Sequence, residues 1–314
     1  MERKFNSFED FNLRGGKRER LHHLLYESGP KNGTLFFLPV DQGFEHGPRD
    51  FNEANIDPDF QLQMAKECGY SGIVLHYGLA KKYWQNRYEE VNLVLKLNGK
   101  TEIPPEAFSP LVSTVKDAKD LGAIAVGYTL YVGSPAQDRD IQQLAQVRAE
   151  AEKYELPLIV WSYPRGEYID KVGGRDTLYA IDYATRVACE VGADILKLNW
   201  PFKINELKEQ GGLKGDYEKS KGYKQYGPWE EKSDLERLHK LVHTAGLVPV
   251  MFSGGERKPT EEETLAKARI CLDAGAIGMI IGRNAWGRAT LDEAKNVAGR
   301  LYEIVADKKY HLRD

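Results

Sequence analysis

A lysine, Lys197, stands in the middle of an apolar stretch that spans residues 194–199. The stretch is typical of a short buried β-strand, whose alternate side chains point to opposite faces, so Lys197 would share a face with Ile195 and Asn199. Burial disfavours the charged form of a lysine, because an unpaired ammonium group loses its hydration. Lys197 is therefore either a structural lysine paired with a carboxylate or a neutral amine. A neutral amine can attack a carbonyl and form a Schiff base, which acts as an electron sink for C–C cleavage.

Two glycine motifs, Ser253-Gly254-Gly255 and Gly282-Arg283, each follow an apolar stretch near the end of the chain. Glycines allow backbone N–H groups to approach an anion closely, and the N-terminus of a following helix favours negative charge. The Arg283 guanidinium could complete a charged clamp around a phosphate. Either motif alone is typical of a tight turn, but the two in consecutive elements favour a phosphate site.

Three further residues have side chains suited to chemistry at the ends of apolar stretches. Trp161 and Tyr163 share one face of such a stretch, where Tyr163 could deliver or take a proton and Trp161 is more typical of a core residue. Asp41 ends the first stretch. Its carboxylate could bind substrate hydroxyls, pair with Lys197 or cap the next turn.

Eight apolar stretches predict the strands that position these residues. They lack polar alternation, as expected for parallel strands covered on both faces, and helical patterns lie between most of them. Eight strands alternating with helices over about 250 residues predict an α/β fold, a (β/α)₈ TIM barrel. An open doubly wound sheet is the alternative, which the lack of Gly-x-Gly-x-x-Gly after the first strand weakens. The predicted strands are Thr34–Val40, Gly72–His76, Val91–Leu97, Ile124–Tyr128, Leu158–Tyr163, Asp194–Asn199, Val248–Phe252 and Ile277–Gly282.

The active site of such a barrel lies at the carboxyl ends of the strands, where the candidate residues fall. A second lysine, Lys96, complicates the choice, because residues 94–98 repeat the pattern found around Lys197. The two-residue alternation of a strand allows both lysines to face the barrel interior, and only one needs to be catalytic. A second cation could lower the pKa of the first amine, although strands three and six lie nearly opposite each other in a barrel of eight.

The chain is expected to form a single domain, residues 33–314, preceded by an N-terminal arm, residues 1–32. The arm is polar and charged, and we expect it to pack outside the main core with one short helix or to be a partly disordered tail. Residues 203–232 form a long loop after strand six. We interpret this loop as a substrate lid or, equally, as a solvated insertion without a role.

Composition and charge exclude several classes of protein. The chain has 314 residues and a net charge of −3, so it lacks the basic footprint of a nucleic-acid-binding protein. It has no apolar run of about 18 residues for a membrane span, and its N-terminus lacks the apolar core of a signal peptide. Three widely spaced cysteines argue against a disulfide framework and favour a cytoplasmic protein. No His-x-His or His-Glu-x-x-His spacing indicates a metal site.

Four strand-end motifs, in the right order, resemble those of the archaeal-type class I fructose-bisphosphate aldolases, which also occur in bacteria. The resemblance runs from about Gly33 to the C-terminus. It implies a Schiff-base aldolase on a barrel, a lyase that needs no metal or other cofactor and acts in glycolysis or gluconeogenesis. The reaction would be the reversible cleavage of fructose 1,6-bisphosphate to dihydroxyacetone phosphate and glyceraldehyde 3-phosphate. The motifs are residues 38–46 (Leu-Pro-Val-Asp-Gln-Gly-Phe-Glu-His), Ile195-Leu196-Lys197, Ser253-Gly254-Gly255 and Ile281-Gly282-Arg283.

The resemblance also implies roles for individual residues. Lys197 would form the imine, Tyr163 would move the proton on the enamine carbon, and Asp41 would contact the hydroxyl next to the bond that is cut. An acidic residue after the lysine strand would be Glu206 or Glu209. Members of the family are homo-oligomers, often of eight or ten subunits. Substrate-binding residues would be Gln42, Trp161, Arg165 at the distal phosphate, and Ser253, Gly254, Gly255, Gly282 and Arg283 at the other phosphate.

Other readings of the same residues remain open. Sister enzymes share the lysine and the phosphate pocket, among them a transaldolase-like synthase of aromatic precursors and a thiolase that acts on a phosphorylated signalling molecule. A non-catalytic phosphosugar-binding scaffold would bind phosphate without forming an imine. An isomerase on the same barrel would use Lys197 as a base and break no C–C bond.

Overall fold

Eight parallel strands close into a barrel in the computed structural model, which describes residues 5–255 and 260–314. Each strand pairs with the next along the chain, and the eighth pairs with the first. Each predicted apolar stretch overlaps one strand, so the predicted TIM barrel is confirmed and the open sheet is wrong. The strands are β1 (Leu35–Pro39), β2 (Gly72–His76), β3 (Leu93–Lys96), β4 (Ala125–Val132), β5 (Leu158–Pro164), β6 (Ile195–Leu198), β7 (Val250–Ser253) and β8 (Gly278–Ile280).

Helices surround the barrel and begin where the local sequence can cap them. The hydroxyls of Ser233, Thr260 and Thr290 each accept a hydrogen bond from the backbone N–H three residues on, which satisfies a donor that the first turn leaves free. The α-helices are α1 (Gly15–His22), α2 (Gln42–His46), α3 (Asp59–Glu67), α4 (Tyr77–Leu79), α5 (Val115–Leu121), α6 (Gln137–Lys153), α7 (Glu167–Asp170), α8 (Leu178–Val191), α9 (Ile204–Glu209), α10 (Lys221–Tyr226), α11 (Asp234–Thr244), α12 (Glu261–Asp273), α13 (Arg283–Trp286) and α14 (Leu291–Val305).

Two hydrophobic cores lie on the two faces of the sheet. The inner core fills the barrel and includes Ile159, Ile195 and Met251. The outer core lies between the strands and the helices and includes Leu196 and Leu198. Strand β6 therefore alternates as predicted, and Lys197 faces the barrel interior with Ile195.

The N-terminal arm closes the amino-terminal end of the barrel. Its side chains Phe8, Phe11 and Leu24 belong to the inner core, and the Lys17 ammonium pairs with Asp194 at 2.7 Å, just before β6. The expectation that the arm packs outside the main core is wrong. Apolar residues at the first positions of the strands would otherwise face water at this end, and burying them stabilises the fold.

Residues 203–232 form a folded segment rather than a solvated loop. It contains α9 and α10, and its residues Lys214–Gly215 pair in antiparallel orientation with Val172–Gly173 of the preceding βα loop. Ile204, Leu207 and Tyr217 make a small hydrophobic cluster of their own. The segment therefore has a defined shape beside the end of β6.

Pro39 fits the barrel because it is the last residue of β1. The next ladder hydrogen bond runs from the Val40 N–H to the Val74 carbonyl, so the missing donor of the proline costs no bond there. None of the helices in the described ranges combines the length and the apolar character that crossing a bilayer requires.

Candidate active site

A cavity of about 970 Å³ opens at the carboxyl ends of the barrel strands. Eleven of the residues predicted from the sequence for catalysis or substrate binding contribute to its lining. These residues are Asp41, Gln42, Trp161, Tyr163, Arg165, Lys197, Ser253, Gly254, Gly255, Gly282 and Arg283. Strand geometry explains the gathering, because residues at the same register of neighbouring parallel strands point to the same side of the sheet.

Lys197 enters the cavity from β6 beside two aromatic rings. It lies in register with Trp161 of β5, and its Nζ is 4.9 Å from the centroid of the Trp161 indole and 5.6 Å from that of the Tyr163 ring. Burial, assisted by the positive charge of Arg283, lowers the pKa of Lys197 to about 8, against the carboxylates of Asp41 and Glu45. Within residues 5–255 and 260–314 the Lys197 amine takes part in no ion pair, which argues against a structural lysine held by a carboxylate.

Tyr163 and Asp41 line the same cavity as this amine. Burial raises the pKa of the Tyr163 phenol, and the negative charge of Asp41 raises it further, so the phenol keeps its proton at neutral pH. Asp41 precedes α2 but makes no side-chain cap hydrogen bond to it. The Asp41 carboxylate therefore lines the cavity and does not cap the helix.

The loops after β7 and β8 bring the glycine motifs together. The Ser253 hydroxyl donates to Asn199 Oδ1 at 3.0 Å, and Asn284 Nδ2 donates to the Gly254 carbonyl at 3.0 Å. A Cβ at Gly282 would come within 2.8 Å of the Pro39 carbonyl, so any residue other than glycine would clash with β1 at this position. The two glycine motifs therefore lie together at one end of the cavity.

Arg283 stands at this end and is held by a carboxylate. Its Nη1 donates to Asp50 Oδ2 at 3.2 Å, and the same oxygen lies 2.5 Å from His46 Nδ1. Such a pair keeps the guanidinium near the glycine loops while leaving further N–H donors free for an anion.

A second positive group, the Arg165 guanidinium, also lines the cavity. Arg165 Nη1 donates to Glu45 Oε1 at 2.5 Å, and its guanidinium stacks 5.0 Å from the centroid of the Tyr131 ring. Lys100 also lines the cavity, and partial burial lowers its pKa. Arg165, Lys100 and Arg283 together give the cavity cations at more than one place, as a ligand with two anionic groups would need.

Four buried nitrogens that line the cavity have no hydrogen-bond partner in the described part of the chain. They are Gln42 Nε2, His76 Nδ1, Trp161 Nε1 and Arg165 Nε. An unpaired buried polar atom costs free energy that a bound polar ligand can recover. Three of them, on Gln42, Trp161 and Arg165, are N–H donors and therefore favour an oxygen-rich ligand.

Neither Glu206 nor Glu209 contributes to the cavity lining. Glu206 Oε2 instead accepts a hydrogen bond from the Lys203 N–H at 2.8 Å and caps α9. The acidic groups that act on Lys197 are Asp41, which follows β1, and Glu45 of α2.

Several lining residues were not identified from the sequence as members of the site. His76 ends β2, so its place at a strand end was a usable signal. Lys100, Leu207 and Lys267 lie in loops or helices away from the strand ends, and no local pattern marks them. No group of three or more His, Cys, Asp or Glu side chains in residues 5–255 and 260–314 is arranged to hold a metal ion.

Comparison with known proteins gives consistent matches over most of the chain. A family model described as DeoC/LacD family aldolase matches residues 35–288. A protein of Thermoproteus tenax named fructose-bisphosphate aldolase class 1 is 36% identical over 278 residues, which cover 88% of this chain and 90% of that protein. A protein of the same name from Halobacterium salinarum is 32% identical and covers 84% of this chain and 89% of its own length.

Solved structures agree with these relatives. An archaeal fructose-1,6-bisphosphate aldolase, with its catalytic lysine covalently bound to the carbinolamine intermediate of the substrate, aligns with a TM-score of 0.75. It is 34% identical and covers 91% of this chain and 100% of its own. A second archaeal fructose 1,6-bisphosphate aldolase aligns with a TM-score of 0.73 at 35% identity, covering 90% of this chain and 99% of its own.

Proposed function

The chain belongs to the DeoC/LacD family of aldolases, and from that premise we propose that it is a class I, Schiff-base lyase of fructose 1,6-bisphosphate. It cleaves this sugar reversibly to dihydroxyacetone phosphate and glyceraldehyde 3-phosphate. The observation that carries the proposal is the Lys197 amine, buried in a polar cavity without a carboxylate partner among the described residues, at the strand end where the fold places its chemistry.

The chemistry begins with the unprotonated Lys197 amine, which attacks the ketone carbon of the open-chain sugar. Loss of water from the carbinolamine gives a protonated imine. The imine accepts the electron pair of the bond between carbons 3 and 4, while the hydroxyl on carbon 4 loses its proton and becomes the carbonyl of the released aldehyde. Tyr163, whose raised pKa keeps it protonated, then donates a proton to the enamine carbon, and water releases the ketone.

The remaining residues bind and orient the substrate. Ser253, Gly254, Gly255, Gly282 and Arg283 hold the phosphate next to the ketone, so that remote binding energy fixes the carbonyl over Lys197. Arg165 binds the distal phosphate, exchanging Glu45 for it. Gln42 and Trp161 offer their unpartnered N–H groups to substrate oxygens. Asp41 contacts the hydroxyl next to the bond that is cut.

The cellular setting is also part of the proposal. The reaction serves glycolysis or gluconeogenesis in the cytoplasm, and the protein is a homo-oligomer of eight or ten subunits. Cys68, Cys189 and Cys271 form no disulfide among the described residues, and reduced thiols support the assignment to a reducing compartment. The mass of the purified protein in solution, measured by light scattering, tests the assembly, and a monomer would contradict it.

Borohydride trapping tests the function. We expect reduction in the presence of dihydroxyacetone phosphate to add one ketose phosphate to the peptide that contains Lys197. The Lys197→Met protein should show neither the adduct nor fructose 1,6-bisphosphate cleavage. Lys66→Met, which removes a half-exposed lysine paired with Glu90, is the matched control and should retain both. Cleavage should also persist in EDTA.

Other outcomes would replace the proposal. Phosphate binding without an adduct would indicate a phosphosugar-binding scaffold, and isomerisation without cleavage would indicate an isomerase. An adduct together with faster turnover of an aromatic-precursor or thiolase substrate would assign the chain to a sister enzyme.

A further inference from the structure

The second lysine, Lys96, is buried in the cavity wall and held at a fixed place. It is 2% exposed, and its Nζ donates to the Asn98 carbonyl at 2.7 Å and to Asn98 Oδ1 at 3.2 Å. The Asn98 amide is itself anchored, because its Nδ2 donates to the carbonyls of Ser109 and Thr129 at 3.1 and 2.8 Å. The ammonium group of Lys96 is therefore pre-positioned rather than free to swing.

Lys96 and Lys197 meet over the same aromatic ring although their strands are far apart in the barrel. The Lys96 Nζ is 5.4 Å from the centroid of the Trp161 indole, and the Lys197 Nζ is 4.9 Å from it. Gly127 of β4 makes this possible, because a Cβ there would come within 2.7 Å of the Trp161 ring and 3.1 Å of Lys96 Cδ. The two amines thus face one cavity from two sides.

A structural role does not account for Lys96. Within the described residues it forms no ion pair, and Asn98 supplies the acceptors for two of the three hydrogens of its ammonium group. A buried cation with one hydrogen unsatisfied is costly in a wall that could hold an apolar residue. His76, in register with Lys96 on β2, adds an unpartnered ring nitrogen to the same wall. The wall opposite Lys197 therefore presents an ammonium hydrogen and a ring nitrogen without partners among the described residues.

We propose that Lys96 is a further catalytic residue, whose ammonium group binds the oxygen on carbon 4 and stabilises the negative charge that develops there. This inference rests on the proposed aldolase function. In cleavage, the bond between carbons 3 and 4 breaks and its electron pair passes to the imine of Lys197. The carbon 4 hydroxyl gives its proton to the Asp41 carboxylate and becomes a carbonyl. Lys96 keeps its proton throughout and acts only by charge and hydrogen bonding.

Charge at the site is consistent with this role. Burial lowers the pKa of Lys96 to about 8, while the Asp41 carboxylate raises it, so most of the Lys96 population carries its proton at pH 7. Asp41 also acts on Lys197 in the same sense. The Asp41 carboxylate lines the same cavity as both amines, where it can accept the proton of a substrate oxygen bound between them.

The two halves of the reaction separate this role from a structural one. Dihydroxyacetone phosphate alone forms the imine and exchanges its carbon 3 proton with deuterated water, and neither step involves carbon 4. In Lys96→Met, we expect the rates of trapping and exchange to stay within about threefold of wild type, while kcat for fructose 1,6-bisphosphate cleavage falls by about 100-fold. Lys96→Gln, which retains a neutral donor, should recover part of the loss.

Lys17→Met is the matched control, because it removes another buried ammonium group, at the opposite end of the barrel. It should leave the ratio of cleavage to exchange unchanged. An equal loss of both half-reactions in Lys96→Met would overturn the proposal. A shifted pH profile of trapping with an unchanged ratio of cleavage to exchange would also overturn it. That result would mean that Lys96 acts only on the pKa of Lys197. No trapping in the wild type would defeat the aldolase function itself.

A measurement on the wild-type protein covers the case in which the Lys96 variants do not fold. Glucitol 1,6-bisphosphate, the reduced substrate, has no carbonyl for Lys197 to attack and cannot be cleaved. A crystal structure of this complex should place Lys96 Nζ within about 3.2 Å of the carbon 4 oxygen. A Lys96 that contacts only Asn98 in that complex would refute the proposal.

Discussion

At Lys197, burial and neighbouring charges act on the same amine in opposite directions. Burial and Arg283 lower its pKa, and Asp41 and Glu45 raise it, with a net value of about 8. Imine formation requires the unprotonated amine, so the reactive fraction rises as the pH approaches 8 from below. The trapping rate with dihydroxyacetone phosphate should therefore increase with pH and level off above about 8.

Replacing Asp41 by Asn should move this pH profile to lower pH. The carboxylate raises the pKa of Lys197, so its removal lowers that pKa, by roughly one unit for a nearby opposite charge. The measurement is the pH at half-maximal trapping rate, which is independent of any loss in absolute rate. Asp120→Asn, at an exposed ion pair with Lys116, should leave the midpoint in place. A midpoint that rises would contradict the assignment of Asp41.

Arg283 should affect both phosphate affinity and the same titration. A charge-assisted hydrogen bond to phosphate is worth about 1.5–3 kcal/mol, so Arg283→Ala should raise the dihydroxyacetone phosphate concentration for half-maximal trapping roughly 10- to 100-fold. Because Arg283 lowers the pKa of Lys197, its loss should also move the trapping midpoint to higher pH, opposite to Asp41→Asn.

Arg300→Ala is the control for Arg283→Ala, since Arg300 pairs with Glu261 and Glu262 on the outer helices. It should change neither the dihydroxyacetone phosphate concentration for half-maximal trapping nor the pH midpoint of trapping. An Arg283→Ala protein with unchanged affinity for dihydroxyacetone phosphate would remove Arg283 from the phosphate site.

Among the elements, the segment of residues 203–232 depends on its contact with the loop after β5. Leu207, Gln210 and Gly212 of this segment line the cavity, so its position shapes the mouth of the site. Gly173 has φ +116°, and a Cβ there would overlap the ring of the buried Tyr217. The segment is thus attached through a position that tolerates only glycine.

Gly173→Ala should detach this segment without unfolding the barrel. We expect faster tryptic cleavage within residues 203–232, which are rich in lysine, and a higher KM for fructose 1,6-bisphosphate. Gly246→Ala shares the strain of a positive φ, +60°, but a Cβ there meets nothing within 4 Å, so it controls for backbone strain alone. Equal protease resistance in the two variants would show that the contact with Tyr217 does not hold the segment.

In the whole molecule, the arm and the barrel share one core. We propose that the described part of the arm, residues 5–32, folds as a single unit with the barrel, because Phe8, Phe11 and Leu24 pack directly on the barrel interior and Lys17 is fixed by Asp194 and Glu152. Active site and arm lie at opposite ends of the barrel. Damage to the arm should therefore reduce stability before it changes the chemistry.

Leu24→Ala tests this coupling. Leu24 is 0% exposed, and truncating a buried leucine costs about 3 kcal/mol, so the Tm should fall by roughly 5–10 °C. Leu247→Ala removes the same atoms from a side chain that is 60% exposed and should change the Tm by about 1 °C or less. At a temperature well below both transitions, cleavage by the two variants should match wild type. Equal Tm values would mean that the arm is not part of the folding unit.

The barrel and the positions of its site residues could be predicted from the sequence because both depend on local patterns. Apolar runs define the buried strands, and a period of two places Lys197, Tyr163 and Lys96 on inward faces. Asp41, Ser253 and Gly282 follow directly from their places at strand ends. The same patterns do not distinguish Lys197 from Lys96, because both lie in strands of nearly identical local sequence.

Only the tertiary structure decided which side chains meet. The approach of Lys96 and Lys197 over Trp161 depends on Gly127, which lies on β4, two strands before Lys197. The pairs Arg165–Glu45 and Arg283–Asp50 join residues more than 100 positions apart, and the arm reaches the barrel interior from the far end of the chain. Such contacts depend on barrel closure and loop paths rather than on any local pattern. The sequence therefore determined the elements and their faces, and closure of the barrel determined the distances between the groups they carry.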